Sequence, residues 1–530
     1  MRNGVPWLVT ILSLAVLPTG VPAQTTDMLV LTRGSDTIAV ERLRRTATAL
    51  QGELVDRLQK IRWSYSATLS SDSVVKLENA VRRADQDPTG PALQEATLVF
   101  VGDSVLIEIR AGGTTREQRI GTKRGAVPFL NPSFAQMELL VRRLQGSGKD
   151  SLTVPLFMVS GGQTFDAVIR RLTRDSVALH VGAEARLAVD TAGRILGGTV
   201  PTQQLSLTRS RADNAALHVP KPDYSAPADA PYSAEEVTIP TPMGHSLAGT
   251  LTLPRRTTAE QHPTMGFPAV ITITGSGAQD RDEEVPVVRG YRPFRQVADT
   301  LGRVGIAVLR MDDRGFGGSG GNALTATSAD FARDIEAGIA WLRARREIDP
   351  GRIAVLGHSE GGLIGPMIAA RDSALRALVI LAGPSSTGRR ILEYQNRYAI
   401  ERTPTIRPEA RDSAFAAAMR MLDSTATTSE WVRLFLTHDP TTVASKVRAP
   451  TLILHGATDR QVTMEQADEL AAAIRRGGNR DVTVQVFADA NHLFLQDPDG
   501  NPAGYAALPS TRVRGDVLEV LVEWLVRQLK

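Results

Sequence analysis

The stretch Gly357-His358-Ser359-Glu360-Gly361-Gly362 decides the fold of the C-terminal half of this chain. A short apolar run at 353–356 comes directly before it and predicts a buried parallel strand. An apolar, helix-compatible segment follows at 363–370. A strand that turns directly into a helix holds the serine between them in a strained conformation, with its hydroxyl exposed. Gly357 and Gly361 leave room for such a turn.

Ser359 is the candidate nucleophile, and two residues further along the chain complete a catalytic set. A serine hydroxyl becomes reactive when an imidazole takes its proton and a carboxylate orients that imidazole. Asp459 follows an apolar strand predicted at 450–456. His492 follows a strand predicted at 482–487. Open parallel sheets carry their sites at the carboxyl ends of the strands, so we expect the three side chains to meet there.

Other residues compete for the roles of base and acid. Among the eight histidines, His492 alone combines the required order along the chain with a position just past a strand. Asp489 lies too near His492 in sequence to occupy a neighbouring strand end, and Asp439 before Pro440 is typical of a turn or a helix cap. The other rivals are His180, His218, His245, His262, His358, His438 and His455 for the base, and Asp497 for the acid.

A glycine-rich loop precedes the serine motif and could supply further N–H groups. An apolar strand is predicted at 268–273, and it opens into the loop at 274–282. Glycines let a backbone turn its N–H groups towards a ligand. An ordinary surface loop rich in glycine is the alternative interpretation.

The region from about 234 to 530 resembles the α/β-hydrolase superfamily, and within it the bacterial carboxylesterases of the EstD type and the serine-aminopeptidase-like hydrolases. Five motifs in the expected order carry this resemblance. They are Gly275-Ser276-Gly277-Ala278-Gln279-Asp280-Arg281-Asp282, Asp313-Arg314-Gly315-Phe316-Gly317-Gly318-Ser319, the stretch at 357–362, Gly456-Ala457-Thr458-Asp459, and Asn491-His492.

The resemblance implies an α/β-hydrolase fold with a helical cap, in which Ser359 is the nucleophile, Asp459 the acid and His492 the base. It also implies an oxyanion hole that uses the main-chain N–H groups of Glu360 and of Ser276 or Gly277. The chain departs from the pattern at Thr274-Gly275, where such hydrolases carry a His-Gly pair. No metal or organic cofactor is needed for this chemistry.

The chain of 530 residues divides into several regions. Residues 24–211 carry short apolar runs between turn signals, which predict a smaller β-rich domain with a helical insertion at about 49–84. Residues 212–232 are rich in Pro, Ala and Asp and predict a linker. From 233 to 530 strands alternate with helix-length segments, the pattern of an α/β domain. Strands are expected at 105–109 and 177–181, and turns at 33–36, 111–113 and 190–193.

Residues 384–437 interrupt the alternation of strands and helices. Helix-like stretches at 389–400, 408–422 and 429–437 predict a helical cap over the site. Such a cap excludes water and shapes the substrate pocket. A peripheral insertion without substrate contact is the alternative.

Residues 1–23 have the composition of a signal peptide. Arg2 precedes an apolar core at 7–17, and small residues close the segment at 21–23. The apolar core is too short to span a membrane. We therefore expect cleavage after Ala23 and a periplasmic or secreted protein without a stable membrane anchor.

The amino-acid composition excludes several kinds of site and argues against one class of partner. The chain contains no cysteine, which excludes disulfides, a cysteine nucleophile, thiolate metal sites and a lipid-modified N-terminal cysteine. The net charge is only +4, and the Arg-Arg pairs are scattered without interleaved aromatic residues, so no nucleic-acid partner is indicated. Nothing in the sequence specifies an oligomeric state.

These observations together predict an exported serine hydrolase, with a carboxylesterase acting on small short-acyl esters as the first interpretation. A serine peptidase acting on short peptides is the alternative, and it would need carboxylates that bind a free amino terminus. A non-catalytic binding protein on the same scaffold is disfavoured because every catalytic position is filled. Candidate carboxylates for the peptidase are Glu393, Glu401 and Glu409 in the cap.

Overall fold

The structure is a computed structural model, and it describes residues 26–211, 214–255, 266–285, 288–323, 325–404 and 406–530. The chain divides into two compact units, with the boundary between Val219 and Pro220 and with residues 111–114 assigned to the second unit. The predicted signal peptide at 1–23 lies outside the described residues.

The first unit is one antiparallel sheet of fifteen strands whose first and last strands are neighbours. The short ninth strand pairs in parallel with the tenth. One helix, α1 (Glu138–Ser147), buries Leu139, Leu140 and Leu144 in the core beside the sheet. The strands are β1 Asp27–Arg33, β2 Asp36–Arg45, β3 Ala49–Asp56, β4 Ile61–Ser70, β5 Ser73–Arg83, β6 Gln94–Val101, β7 Ser104–Ala111, β8 Thr114–Gly121, β9 Val127–Phe129, β10 Ser151–Met158, β11 Thr164–Thr173, β12 Ser176–Val181, β13 Ala183–Val189, β14 Ile195–Val200 and β15 Leu205–Arg211.

The helical insertion expected at about 49–84 is wrong, because β3, β4 and β5 occupy that segment. Leu50 and Leu54 are four residues apart, which imitates one face of a helix, yet both are buried on a strand. Pairing with neighbouring strands overrides the local helix propensity. The strands expected at 105–109 and 177–181 are confirmed, since they lie within β7 and β12.

The second unit is built on a sheet of eight strands. The strands are β16 Tyr232–Pro240, β17 Ser246–Pro254, β18 Phe267–Ile273, β19 Ala307–Met311, β20 Ile348–His358, β21 Ala377–Leu381, β22 Thr451–Gly456 and β23 Val482–Phe487. Their order in the sheet is β16-β17-β19-β18-β20-β21-β22-β23. The pairs β16–β17 and β17–β19 are antiparallel, and the remaining pairs are parallel.

Helices cover both faces of this sheet. The helices are α2 Pro293–Arg303, α3 Ser328–Arg343, α4 Glu360–Ala369, α5 Gly388–Arg402, α6 Arg411–Thr428, α7 Glu430–Thr437, α8 Pro440–Ala444, α9 Glu465–Arg476 and α10 Gly515–Leu529. In β20, Ile353 and Val355 enter one apolar core, whereas Ala354 and Leu356 enter the other. The first core contains side chains of α3, α4 and α9, and the second contains side chains of α2 and α10.

The fold class expected from the sequence is confirmed: an α/β-hydrolase fold with a helical cap follows a β-rich domain. The strands expected around the serine motif and at 268–273, 450–456 and 482–487 are β20, β18, β22 and β23. Helices α5, α6 and α7 occupy most of the segment predicted as the cap. No helix in the described ranges combines the length and the apolar character needed to cross a bilayer.

Residues 217, 219 and 224, in the middle of the segment expected as a linker at 212–232, make specific contacts within the unit to which each belongs. Leu217 and Val219 pack into a small apolar cluster of the first unit. The ring of Tyr224 lies 4.2 Å from the guanidinium of Arg281 in the second unit. Residues 223–229 therefore associate closely with the α/β unit.

Candidate active site

Ser359 lies at the turn between β20 and α4, in a backbone conformation that non-glycine residues rarely adopt. Its φ is 54° and its ψ is −115°. The turn is tight, because a side chain at Gly357 would collide with the carbonyl of Gly361. A side chain at Gly361 would in turn collide with the carbonyl of Ile273. Such strain persists where the surrounding structure enforces it, and here it presents the serine hydroxyl at the carboxyl edge of the sheet.

The structure brings together the three side chains that the sequence analysis selected. His492 Nε2 lies 3.0 Å from Ser359 Oγ. His492 Nδ1 lies 2.7 Å from Asp459 Oδ2. The imidazole is 4% exposed and Asp459 is 1% exposed, so the proton path is shielded from bulk water. This chain of hydrogen bonds can carry a proton away from the serine hydroxyl.

The surroundings of Asp459 keep it ionised. One carboxylate oxygen accepts hydrogen bonds from the main-chain N–H groups of Gln461 and Val462, at 2.8 and 2.9 Å. Burial opposes ionisation, but His492 and His455 outweigh it and hold the pKa of the Asp459 carboxyl below its usual range. A carboxylate at neutral pH fixes the Nδ1–H tautomer of His492 and leaves Nε2 as the base.

The loop that carries His492 is braced by its neighbours. Asn491 Oδ1 accepts the N–H groups of Leu493 and Leu495, and its Nδ2 lies 3.1 Å from Asp497 Oδ2. Asp497 also accepts the N–H of Gly500 at 3.0 Å. Asp497 therefore stabilises this loop and does not contact the imidazole.

Two parts of the chain were expected to supply oxyanion N–H groups, the start of α4 and the glycine-rich loop. The N–H of Glu360 is the first of α4 and has no acceptor within that helix. In the glycine-rich loop the N–H of Gly275 donates to Glu283 Oε1 at 2.7 Å, so it is already used. Ser276 lines the cavity in front of Ser359. Gly277 lines a separate cavity of about 20 Å³, which makes Ser276 the better candidate.

A cavity of about 430 Å³ opens in front of Ser359. Its wall includes a pair of cap residues, Trp431 and Phe435, whose rings stack with centroids 5.2 Å apart. Such a wall suits an apolar group of modest size. The other apolar or aromatic lining residues are Val285, Pro384, Ile391, Leu392, Val462, Leu493, Pro502 and Tyr505.

The side chain of Glu360 links the serine turn to the cap. Its Oε1 accepts hydrogen bonds from Ser328 Oγ at 2.5 Å and from Trp431 Nε1 at 2.8 Å. Burial raises the pKa of the Glu360 carboxyl, although the bonds from Ser328 and Trp431 oppose that rise. The indole is therefore held in a fixed position beside the nucleophile.

Two of the rival residues, His455 and Asp439, have structural roles. His455 Nε2 lies 2.8 Å from the carbonyl of Val462 and 3.3 Å from Asp459 Oδ2, so it supports the acid. Asp439 accepts the N–H of Thr441 and caps α8, as its position before a proline predicted. His262 lies outside the described residues.

The cap carboxylates considered for a peptidase do not line the cavity of Ser359. Glu393 and Glu401 line a different cavity on the cap together with Arg390 and Arg397, and Glu409 is exposed. Within the described part of the chain, no group of His, Asp and Glu side chains is arranged to hold a metal ion.

Sequence reasoning did not identify several residues of the site. Glu283 lies beside His358 and the glycine-rich loop, and its place directly after Asp282 in that loop motif was the available signal. The sequence did not distinguish Trp431 and Phe435 as residues of the site, because aromatic residues four positions apart on a helix most often belong to the apolar core.

Comparison with known proteins gives a family match and an esterase relative. The family described as "Serine aminopeptidase, S33" matches residues 289–499, a range that includes Ser359, Asp459 and His492. Esterase EstD of Thermotoga maritima is 26% identical over 314 residues, which cover 58% of this chain and 70% of that protein. These matches confirm the resemblance to esterases and serine aminopeptidases that the motifs predicted.

Two further proteins are similar to part of this chain. Dipeptidyl aminopeptidase BIII of Pseudoxanthomonas mexicana is 26% identical over 267 residues, 49% of this chain. This chain covers only 35% of that protein. The solved structure of a Pyrococcus furiosus esterase is 18% identical and covers 58% of this chain and 98% of its own, with a TM-score of 0.41.

Proposed function

We propose that this serine hydrolase of the α/β-hydrolase superfamily is a carboxylesterase that acts on small short-acyl esters. The observation that carries the proposal is the continuous hydrogen-bond chain from Ser359 through His492 to Asp459. Ser359 and His492 line a largely apolar cavity, in which a substrate can reach the serine hydroxyl. The similarity to esterase EstD supports the same reaction class.

The proposed reaction runs through an acyl-enzyme. His492 Nε2 takes the proton of Ser359 Oγ as that oxygen attacks the ester carbonyl. The N–H groups of Glu360 and Ser276 stabilise the oxyanion of the tetrahedral intermediate. His492 then protonates the departing alcohol. A water molecule, activated by the same imidazole, releases the acid and restores the serine.

An ester substrate fits the charges of the cavity better than a peptide with a free amino terminus. Among the described residues, two carboxylates line the cavity, Glu283 and Glu360, and both are almost fully buried, at 1% and 3% exposure. A substrate ammonium group would need a carboxylate available for pairing. Glu393, Glu401 and Glu409, the candidates for that role, lie elsewhere. The serine aminopeptidase remains the second candidate because of the family match.

A substrate panel tests this proposal. We expect clear hydrolysis of short-acyl p-nitrophenyl esters and little hydrolysis of aminoacyl or dipeptidyl anilides. Activity should fall as the acyl chain becomes longer than the cavity, which measures about 430 Å³. A kcat/KM for any anilide that equals that of the best ester would replace the esterase proposal with the peptidase one. Absence of turnover on both classes would favour a binding protein.

We also propose that the protein is exported and acts in the periplasm or outside the cell. The support is the arrangement of residues 1–23, with a basic start, an apolar core and a small-residue end. The mature chain would then begin near Gln24.

A further inference from the structure

A second imidazole–carboxylate pair lies directly beside the catalytic base. His358 Nδ1 lies 2.8 Å from Glu283 Oε1, and His358 Nε2 lies 3.0 Å from the main-chain carbonyl oxygen of His492. The rings of His358 and His492 are 4.9 Å apart between centroids. His358 is 5% exposed and Glu283 is 1% exposed. The proposed reaction uses neither side chain.

The two partners of His358 determine its protonation. A carbonyl oxygen only accepts hydrogen bonds, so His358 Nε2 must carry a proton. Glu283 Oε1 also receives the N–H of Gly275, and as a carboxylate oxygen it accepts a second hydrogen bond from His358 Nδ1. With Glu283 ionised, both ring nitrogens of His358 are protonated and the ring is an imidazolium.

Charges around His358 favour this state. Burial lowers the pKa of the imidazole, but the carboxylate of Glu283, the carbonyl of His492 and the carboxylate of Asp459 outweigh burial and raise it. The charged groups that face His358 are thus Glu283 and Asp459, with the titratable ring of His492 adjacent.

Glu283 connects this pair to the oxyanion loop. Its Oε1 holds the N–H of Gly275, the residue before Ser276, at 2.7 Å. Glu283 itself has a φ of 56°, a left-handed conformation that is costly for a residue with a side chain. Non-glycine residues in this region mark places where the structure enforces a particular geometry.

We propose that Glu283 and His358 are positioning residues, which together hold His492 by its main-chain carbonyl and the oxyanion loop by the Gly275 N–H. This inference rests on the proposed serine-hydrolase function. Through these two contacts, the buried ion pair fixes the positions of His492 and of the oxyanion donors relative to Ser359. A displacement of about 1 Å in such groups is enough to lower a rate by about 10²-fold.

The first test measures how fast a fluorophosphonate labels Ser359, because labelling reports the activated serine whatever the natural substrate is. We expect Glu283→Ala to lower the labelling rate and kcat by about 10²-fold while KM changes by less than about threefold. Glu283→Gln keeps an oxygen that can accept both the Gly275 N–H and the Nδ1–H of His358 but removes the negative charge, so it should retain at least about a tenth of the wild-type rate.

A matched control comes from another, partly buried histidine–carboxylate pair of the same unit. His245 Nε2 lies 3.0 Å from Asp334 Oδ1, and neither residue lines the cavity of Ser359. His245→Asn should leave the labelling rate within about twofold of wild type. An equal loss of labelling in His245→Asn and Glu283→Ala would overturn the positioning role. Absence of labelling in the wild type would instead contradict the proposed function.

The second test needs no variant that might fail to fold. In the wild-type protein labelled with ¹⁵N-histidine, His358 should show two protonated ring nitrogens at pH 8, a state that a free imidazole loses well below that pH. The assignment can use Glu283→Gln, in which one of the two ring protons should be lost. A single protonated nitrogen on His358 at pH 8 in the wild type would overturn the proposal.

Discussion

Trp431 of the cap donates its indole N–H to the carboxylate of Glu360, the residue that follows the nucleophile, over 2.8 Å. The same indole stacks on Phe435 with an angle of 6° between the rings. The cap is therefore fixed to the turn that carries Ser359, and changes at Trp431 should alter both the shape of the pocket and the order of that turn.

Trp431→Phe should separate these two effects. Phenylalanine keeps a ring against Phe435 but removes the N–H donor, so kcat/KM for short esters should fall by about tenfold, the cost of one buried hydrogen bond. Trp431→Ala should also enlarge the cavity and raise the activity on longer acyl chains relative to acetate. Trp341→Phe, on α3 and outside the cavity, is the control. An unchanged acyl-chain profile in Trp431→Ala would show that the indole does not limit the pocket.

Substitutions in the proposed triad have a defined order of severity. Ser359→Ala should lower kcat by about 10⁶-fold, because the members of a triad act as a unit. Asp459→Asn should lower it by about 10⁴-fold, because His492 then adopts the wrong tautomer. Ser445→Ala, in the same unit but outside the cavity, should be neutral. Steady-state kinetics and fluorophosphonate labelling measure the losses in Ser359→Ala and Asp459→Asn. Residual activity above about a tenth of the wild-type activity in Ser359→Ala would reject Ser359 as the nucleophile.

Glu360 should make the stability of the α/β unit depend on pH. Burial raises the pKa of its carboxyl in the folded state, so the folded protein binds a proton more readily than the unfolded chain. Its contribution is complete below the unfolded pKa of about 4.3 and is lost as pH rises through the higher folded value. Glu360→Gln keeps acceptors for Ser328 and Trp431 but cannot ionise.

The comparison is a series of Tm measurements from pH 4 to pH 8. Wild type should lose Tm relative to Glu360→Gln as pH increases across this range. The free energy of unfolding should diverge by at most about 1.4 kcal/mol per pH unit, the value for one proton. A constant difference in Tm at all pH values would mean that Glu360 does not change its protonation on folding.

The α/β unit should fold and act without the first unit if it keeps residues 220–231. Arg295 donates to the carbonyl of Ser225 at 3.0 Å, and Arg303 pairs with Asp229 at 3.0 Å. A chain of residues 220–530 should therefore retain ester hydrolysis, and one of 232–530 should have a lower Tm. Loss of activity in a 220–530 chain with a normal Tm would indicate that the first unit contributes to catalysis.

The mature protein should begin at or near Gln24. Mass spectrometry of the exported protein gives its N-terminal residue directly, and Ala23→Arg should block cleavage because the site requires a small side chain. An intact Met1 in exported protein, or retention on membranes after a high-salt wash, would contradict this expectation.

The α/β unit was predictable because its signals are local. Buried parallel strands are short and rich in apolar residues, so β18, β22 and β23 were predicted with bounds close to those observed, and the predicted run at 353–356 lies within the longer β20. Ser359, Asp459 and His492 follow the ends of β20, β22 and β23, so chain order was enough to predict that these side chains meet.

The first unit and the supporting residues of the site were harder to predict. Segment 49–84 has charged stretches that fit a helix, and pairing with neighbouring strands turns it into β3, β4 and β5. Glu283 and Trp431 act through contacts with residues at least seventy positions away in the chain. No local pattern encodes such contacts.

The pairing of β1 with β15 has a consequence for biosynthesis. Asp27 is opposite Arg211 in that ladder, so β1 cannot complete its hydrogen bonds until almost the whole first unit has left the ribosome. Contacts between such distant parts of a chain form slowly. During that interval one side of β1 is an open edge that can pair with another nascent chain, and a chaperone that shields it should raise the yield of folded protein.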